Sequence, residues 1–218
     1  MESIIKSMPY ILKGMGNTLI LSSVCLAISV IAGILTGIFR TSNNGVLRSG
    51  ARVFITVFRG IPSLVILYMV FFVLPEIGIK LDSFPAAVIG LSVWGVSNVG
   101  ECMRGAIESL PKSQFEASES LGLSFSQTMI FVILPQAFRR IMPSLVGIAS
   151  NMIQNTALTV FIGNTEFLKS AQYTIERIEM MEKIPVSFII YAIVLTGYFI
   201  ICFPLSMLSK KMEKRLNA

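Results

Sequence analysis

Residues 113–135 read SQFEASESLGLSFSQTMIFVILP and form the longest water-facing passage in the middle of an otherwise apolar chain. Two Ser-x-x-Glu/Gln patterns, Ser113 with Glu116 and Ser124 with Gln127, are typical of capped helix starts. Gly122 lies between them, where a left-handed residue ends a helix at little cost. The stretch therefore predicts two short helices that meet at Gly122 and are exposed beside a membrane.

The composition of the rest of the chain is that of an integral membrane protein. The 218 residues are 54% hydrophobic and only 14% charged, with a mean hydropathy of +0.75. The sequence has no histidine, which excludes proton relays, metal sites and triads that depend on imidazole. It also lacks a P-loop pattern for gripping a nucleotide. The three cysteines, Cys25, Cys102 and Cys202, are far apart and are interpreted as small buried apolar residues.

The chain contains several uncharged stretches, each close to or longer than the ~20 residues that cross a bilayer. They predict an all-α membrane protein with one transmembrane domain over residues 1–218 and five spans, at about 14–39, 53–74, 83–101, 141–163 and 184–209. Residues 1–13 are expected to form a short, uncleaved interfacial lead-in. Residues 166–183 are expected to form a slightly acidic outer loop.

The distribution of charge predicts the orientation of these spans. With the C-terminus in the cytoplasm, the inner segments hold twelve basic and five acidic residues, a net charge of +7. The outer segments then hold six basic and seven acidic residues, a net charge of −1. This bias follows the positive-inside rule, so the overall charge of +6 needs no nucleic acid as a partner. The N-terminus is expected outside, and the 113–135 stretch in the cytoplasm.

The same stretch resembles the EAA motif of ATP-binding-cassette (ABC) importer permeases, which reads EAA, three residues, Gly, nine residues and Ile-x-Leu-Pro. Glu116, Gly122 and Pro135 match at the same spacing, and Ser118 and Val132 are conservative departures. The resemblance implies a type I ABC importer permease fold with a cytoplasmic coupling loop over residues 104–140. The residues implied to dock on an ATPase subunit are Phe115, Glu116, Ala117, Ser118, Leu121 and Gly122. The alternative is an ordinary amphipathic turn in which Glu116 only caps its helix.

Four uncharged polar residues interrupt the fourth predicted span, and they are Asn151, Gln154, Asn155 and Thr156. Such side chains are costly in lipid, so they are expected to face protein or a water-filled substrate path. The alternative is hydrogen bonding between helices without contact to a substrate. The segment resembles the "LLKDTSL" of polar-amino-acid ABC permeases, with Gln154 in place of the usual lysine. Loss of that cation favours a neutral, glutamine-like substrate.

Three further residues are candidates for the substrate path. Tyr68 and Phe72 are four residues apart and share a helix face, although aromatic residues in spans more often pack or form an interfacial belt. Glu101 lies in the segment ECMRGAI, which resembles the family's "EIFRGAI", as FRGIP at residues 58–62 resembles "FRGTP". Glu101 and Arg104 stand at helical spacing, so an interfacial ion pair is the alternative interpretation.

The resemblance covers nearly the whole chain and implies the permease subunit of an ATP-driven importer in a bacterial cell membrane, moving a polar amino acid inward by alternating access. It implies no catalysis and no cofactor in this chain, with ATP and magnesium bound by separate ATPase subunits. The other implied partners are a second permease chain, an extracytoplasmic binding protein, the lipid bilayer and the amino acid. An ion-coupled secondary transporter is one alternative, disfavoured because the spans lack acids apart from Glu101. A membrane assembly subunit without a substrate path is the other.

Overall fold

Long apolar helices account for most of the chain in the computed structural model, which describes residues 2–216. No strand occurs within that range. The helices are α1 (Glu2–Arg40), α2 (Gly45–Gly60), α3 (Ser63–Tyr68), α4 (Ser83–Glu108), α5 (Lys112–Ser120), α6 (Phe125–Gln127), α7 (Leu134–Asn155), α8 (Phe167–Glu182) and α9 (Ser187–Leu216). Turns of π-helix at Met69–Val73 and Thr128–Ile133, and of 3-10 helix at Leu74–Ile77 and Thr156–Ile162, extend these elements.

Helices long and apolar enough to cross a bilayer number four in the described chain, or five if α2 and α3 form one broken span. The first of them is longer than expected, because α1 begins at Glu2 and has no separate lead-in before residue 14. Ile4 and Ile11 are buried in an apolar cluster with residues of α8 and α9, and this packing keeps the N-terminal turns helical. With a rise of 1.5 Å per residue, α1 is roughly 58 Å long and extends beyond the hydrocarbon layer.

The predicted second span at 53–74 is wrong as a continuous helix. α2 ends at Gly60, Ile61 is extended with φ −99° and ψ 131°, and the next helix leaves at an angle of 104°. Pro62 explains the break, because proline lacks an amide donor and disfavours the helical conformation of the residue before it.

The central loop begins differently from the expectation. α5 starts at Lys112 behind Pro111, and Ser113 therefore lies inside the first turn and caps nothing. The second capping box is confirmed, because Ser124 Oγ accepts from the Gln127 amide at 3.4 Å and Gln127 Oε1 accepts from the Ser124 amide at 2.8 Å. Gly122 has φ +76°, the left-handed conformation predicted for it.

Small residues allow α1 and α4 to pack closely along their length. A Cβ atom on Gly33 would lie 2.6 Å from Val99 Cβ, and one on Gly37 would lie 2.5 Å from Met103 Cβ. Glycines at such spacing let the two backbones approach, as is common between membrane helices. This helix pair forms the middle of the bundle, against which α2, α3 and α7 pack.

The segment that follows α7 and its 3-10 turn is the helix α8 and not the expected loop. Phe167, Ala171, Ile175 and Ile178 recur at helical spacing and are all buried against α1 and α9. The last helix starts at Ser187, close to the predicted residue 184, and it continues to Leu216 beyond the predicted end at 209. The predicted fourth span at 141–163 corresponds to the later part of α7 and its 3-10 extension.

Candidate functional site

The predicted coupling residues divide between the two faces of α5 and its end. Phe115 packs against the apolar cluster that includes Met129 and Ile133, and Ser118 is buried, donating from Oγ to the Gln114 carbonyl at 2.7 Å. The other four point outward: Glu116, Ala117, Leu121 and Gly122 are exposed. Leu121 is 80% exposed, which is unusual for a leucine at the end of a water-facing helix.

Polar contacts fix this loop to the bundle. Gln136 on α7 donates from Nε2 to Gln114 Oε1 at 3.2 Å. Arg140, one turn further along α7, donates to the carbonyl and hydroxyl oxygens of Ser109, both at 2.9 Å. Displacement of α5 is therefore connected mechanically to α7, the helix that carries the polar run.

The four residues of the predicted polar run do not all lie on the same face of α7. Asn151 and Gln154 are exposed and lie on one face, and Asn155 beside them is half-buried. Gln154 Nε2 lies 3.4 Å from Ser150 Oγ, a long hydrogen bond to the preceding turn. Met152 on the opposite face is fully buried. Three amide side chains are thus presented together near the end of α7, in a part of the helix that carries no charged residue after Arg140.

Thr156 does not join these amides. It is fully buried at the start of the 3-10 turn, where its hydroxyl donates to the Ile153 carbonyl at 2.7 Å. Thr159 repeats the arrangement one turn later and donates to the Thr156 carbonyl at 2.6 Å. Thr156 therefore helps to convert α7 into the tighter 3-10 turn and points away from the exposed face.

The aromatic candidates lie on the surface of α3 and of the π-helical turn that extends it. Tyr68 and Phe72 are 38% and 54% exposed, and their rings meet edge to face with centroids 5.5 Å apart. Phe71 contacts Phe72 in the same manner at 5.0 Å. The predicted shared face of Tyr68 and Phe72 is present, and the two rings form one rigid apolar patch.

Glu101 is held by arginines near the end of α4. Arg104 donates from Nε and Nη2 to the two carboxylate oxygens at 2.9 and 2.7 Å, and Arg59 Nη1 lies 3.3 Å from Oε1. Arg104 also pairs with Glu108. These polar contacts join α2 to α4, and none of them reaches the amides of α7 in the described residues.

Sequence reasoning missed a second carboxylate. Glu166 is fully buried, and its Oε2 accepts from the Tyr198 hydroxyl at 2.7 Å and the Thr18 hydroxyl at 3.2 Å. Its Oε1 accepts from the Lys169 amide at 2.8 Å and so caps α8. The acidic residue just before an apolar helical pattern signals the cap, but its burial depends on helices distant in sequence. Residue 166 lies outside the predicted spans, so the expectation that these spans contain no acid apart from Glu101 is not affected.

Comparison with known proteins identifies the type of bundle. Residues 29–217 match the family described as "Binding-protein-dependent transport system inner membrane component". The chain belongs to this family. The "Probable amino-acid ABC transporter permease protein YckA" of Bacillus subtilis (strain 168) is 39% identical to this permease over 168 residues, covering 77% of this chain and 74% of the relative.

Two further proteins extend the match over nearly the whole permease. The "Probable glutamine ABC transporter permease protein GlnP" of Bacillus subtilis (strain 168) is 31% identical and covers 91% of this chain and 89% of the relative. A chain in the crystal structure of an amino acid ABC transporter with histidines superimposes with a TM-score of 0.85 and 28% identity, covering 98% of this chain and 97% of that one.

These matches confirm the family resemblance and the all-α, type I importer permease fold. The permease is the non-catalytic membrane subunit of an amino-acid ABC importer, in which a separate subunit carries the ATPase. The two alternatives, an ion-coupled transporter and an assembly subunit without transport, have no support from this family. Binding proteins, ATPases and a second permease are partners that the family implies.

Proposed function

We propose that this permease moves a polar, neutral, glutamine-like amino acid inward along a path lined by the exposed amides of α7. The observation that supports this most directly is the exposure of Asn151 and Gln154 in the part of α7 after Arg140, which has no charged residue. Amide groups facing hydrocarbon lose their hydrogen bonds to water, so this face needs a water-filled path or another chain. An uncharged amide can donate and accept, which suits a neutral polar side chain or a zwitterion.

The remaining path residues have different places in this proposal. Asn155 lies beside the two exposed amides, and buried Thr156 sets the turn that presents them. Tyr68 and Phe72 supply an apolar wall from α3. Glu101, held by two arginines, lies at the cytoplasmic mouth.

The proposed assembly follows the family and the charge distribution. A second permease, identical or related, completes the path, and an extracytoplasmic binding protein delivers the amino acid. Two ATPase subunits bind ATP and magnesium on the cytoplasmic side. The permease lies in a bacterial cell membrane with its N-terminus outside and its C-terminus in the cytoplasm, because the basic excess of the inner segments favours that orientation.

The proposed coupling element is the outward face of α5 and its end. Glu116, Ala117, Leu121 and Gly122 would meet the ATPase, with Leu121 entering an apolar groove, since its side chain has no cover within the described chain. Phe115 and Ser118 act from below by anchoring the helix to the permease core. ATP-driven closure of the two ATPases would pull α5, and through Gln136 it would pull α7.

The path is tested in proteoliposomes that contain the complete importer and its binding protein. We expect Gln154→Lys to reduce uptake of glutamine about tenfold or more, because a cation on the path repels the amino group of the substrate. Ser144→Lys, at another exposed position of α7 nearer the cytoplasm, is the control for a new charge on that helix. Unchanged uptake of every polar amino acid by the Gln154 variant would remove this residue from the path.

The coupling face is tested by ATP hydrolysis in the same vesicles. Leu121→Asp should abolish most of the stimulation of ATPase activity by loaded binding protein, since it places a charge in an apolar contact. Ser126→Asp is the control, since it adds the same charge at an exposed position of α6 outside the proposed contact. Normal stimulation and normal copurification of the ATPase with the Leu121 variant would show that the docking face lies elsewhere.

A further inference from the structure

Helix α2 lies along one end of the bundle and does not cross it. Its first residues follow directly from the end of α1, and Arg48 Nη1 donates back to the Ser42 carbonyl at 3.3 Å. Its last turn is tied by Arg59 to Glu101, near the end of α4. Sixteen residues are also fewer than the ~20 needed to cross the hydrocarbon layer. In the proposed orientation, α2 therefore runs along the cytoplasmic surface of the membrane.

The rotation of α2 about its axis is fixed by its buried face. Ala51 and Ile55 are 8% and 3% exposed and pack toward α1 and α4. The remaining surface has two faces of opposite character. Arg48, Arg52 and Arg59 share one face, since they recur at intervals of four and seven residues, and all three are exposed.

The other exposed face of α2 is apolar. Val46, Val53 and Val57 are 83%, 61% and 44% exposed and recur at intervals of seven and four residues. At ~100° per residue, this face lies about 140° around the helix from the arginines. A helix with basic and apolar faces arranged in this way lies in the interface between headgroups and hydrocarbon.

The arginine face has an excess of positive charge. α2 contains no acidic residue, and the acids that approach it from α4 are already engaged: Glu101 with Arg59 and Arg104, and Glu108 with Arg104. Arg40, Arg48 and Arg52 form no ion pair within residues 2–216. A recess of about 550 Å³ opens beside Arg40 and Arg59 and is also lined by Thr56, Glu101 and Arg104.

We propose that this face of α2 binds the phosphate headgroups of anionic phospholipids in the cytoplasmic leaflet. Guanidinium groups bind phosphate oxygens in bidentate fashion, so Arg48 and Arg52 would hold the headgroup from the exposed face of α2. The valine face would lie among the first acyl carbons of the same lipids. A water-soluble partner would cover the arginines but leave those valines exposed, which is why lipid is the occupant.

The test measures lipid retention by the full-length permease purified in detergent, without any transport assay. Native mass spectrometry would count phosphatidylglycerol and phosphatidylcholine of equal chain length bound to each variant. Arg48→Gln combined with Arg52→Gln should retain phosphatidylglycerol about tenfold less tightly, because each basic residue near anionic headgroups adds a separable attraction. Arg48→Lys combined with Arg52→Lys should retain most of it, and phosphatidylcholine binding should not change.

Lys13→Gln combined with Lys80→Gln is the matched control, since it removes two charges from exposed positions at the other end of the bundle. Raising the salt concentration should weaken retention of phosphatidylglycerol by the wild type. Equal retention by the Arg48/Arg52 variant and the wild type would overturn the proposal. Loss of ATPase copurification with undiminished lipid would instead assign this face to the ATPase. Either result leaves the importer assignment unaffected, because that rests on the family and on uptake.

Discussion

Two carboxylates inside this permease are stabilised in opposite ways. Glu101, near the C-terminal end of α4, has a side chain 26% exposed and is neutralised by Arg104 and Arg59. Glu166, between α1, α8 and α9, is fully buried and accepts only from neutral donors. At the membrane surface long arginines can reach a carboxylate and stay hydrated. In the interior, hydroxyl groups and the start of a helix supply hydrogen bonds without a second buried charge.

The difference between the two carboxylates predicts different mobility for the two ends of the bundle. The Glu101 cluster joins α2 to α4 through groups that can exchange partners with water and ions. The Glu166 cluster joins three helices through donors that have no alternative partner. We therefore expect the end of the bundle that contains Glu166 to move as a rigid unit and the end that contains Glu101 to rearrange.

Removal of the buried carboxylate should have the largest effect. Glu166→Ala leaves the Tyr198 and Thr18 hydroxyls and the Lys169 amide without an acceptor, so the free energy of unfolding should fall by about 3 kcal/mol or more. Unfolding of the purified permease by denaturant in mixed micelles measures it. Glu176→Ala, an exposed carboxylate on the same α8, is the control and should change stability little. Equal stability of the two variants would mean that the buried cluster does not hold the helices together.

Removal of the surface carboxylate should have a smaller effect that depends on salt. Glu101→Gln should lower the free energy of unfolding by about 1 kcal/mol, because partly exposed ion pairs contribute little. The difference from the wild type should shrink between low salt and 1 M salt, whereas the loss in Glu166→Ala should not. The same unfolding assay at both ionic strengths gives the answer. If the loss of unfolding free energy in Glu101→Gln did not depend on salt, the proposed difference between the two carboxylates would be wrong.

A third carboxylate, Glu179 on α8, also accepts hydrogen bonds from neutral donors, as Glu166 does, but it lies at the surface. It accepts from the Ser187 hydroxyl and from the amides of Val186 and Ser187, at 3.0 and 3.2 Å for the amides. The Ser187 hydroxyl, followed by the Val186 amide, lowers the pKa of this carboxyl below its ordinary value. Ionised Glu179 thus stabilises the start of α9, and this contribution is present above the unfolded pKa and lost as the pH falls through the lowered one.

The smallest expected effect follows from this third carboxylate. Hydrogen exchange at the Val186 and Ser187 amides should accelerate, relative to the intrinsic pH dependence, when the pH falls below about 4, where ordinary carboxyls begin to protonate. In Glu179→Gln the relative protection should not vary over the same range. Protection that is independent of pH in the wild type would show that the carboxylate does not hold this turn.

The sequence allowed the local features of the site to be predicted. Spacing alone identified the left-handed Gly122 and the capping box of Ser124 and Gln127. It gave the pairing of Glu101 with Arg104, one helical turn away, only as the alternative to a place in the substrate path. Each of these depends on residues within four positions of one another. The apolar stretches likewise predicted a helical membrane bundle, because hydrophobicity over about 20 residues determines where a chain can cross lipid.

Features that depend on distant residues were missed. Glu166 is buried by Thr18, 148 residues earlier, and Tyr198, 32 residues later, so its surroundings exist only in the folded bundle. The inward faces of Phe115 and Ser118 similarly depend on α7 and the turn before it. The expected cap at Ser113 failed because Pro111 moved the helix start to Lys112. The broken second span had a local signal in Pro62, which the long apolar run obscured.

The π-helical turn at Thr128–Ile133 has a consequence for how such a loop can change. A π-turn contains one residue more than the same length of α-helix and is accommodated without ending the helix. Deleting that one residue would restore regular α-helical winding. The loop segment just before the turn would then be rotated by about 100° relative to α7. Insertion or loss of a single codon here would thus rotate the loop about the axis of α7. Leu121 would then point in a new direction, while the packing of the bundle would not change.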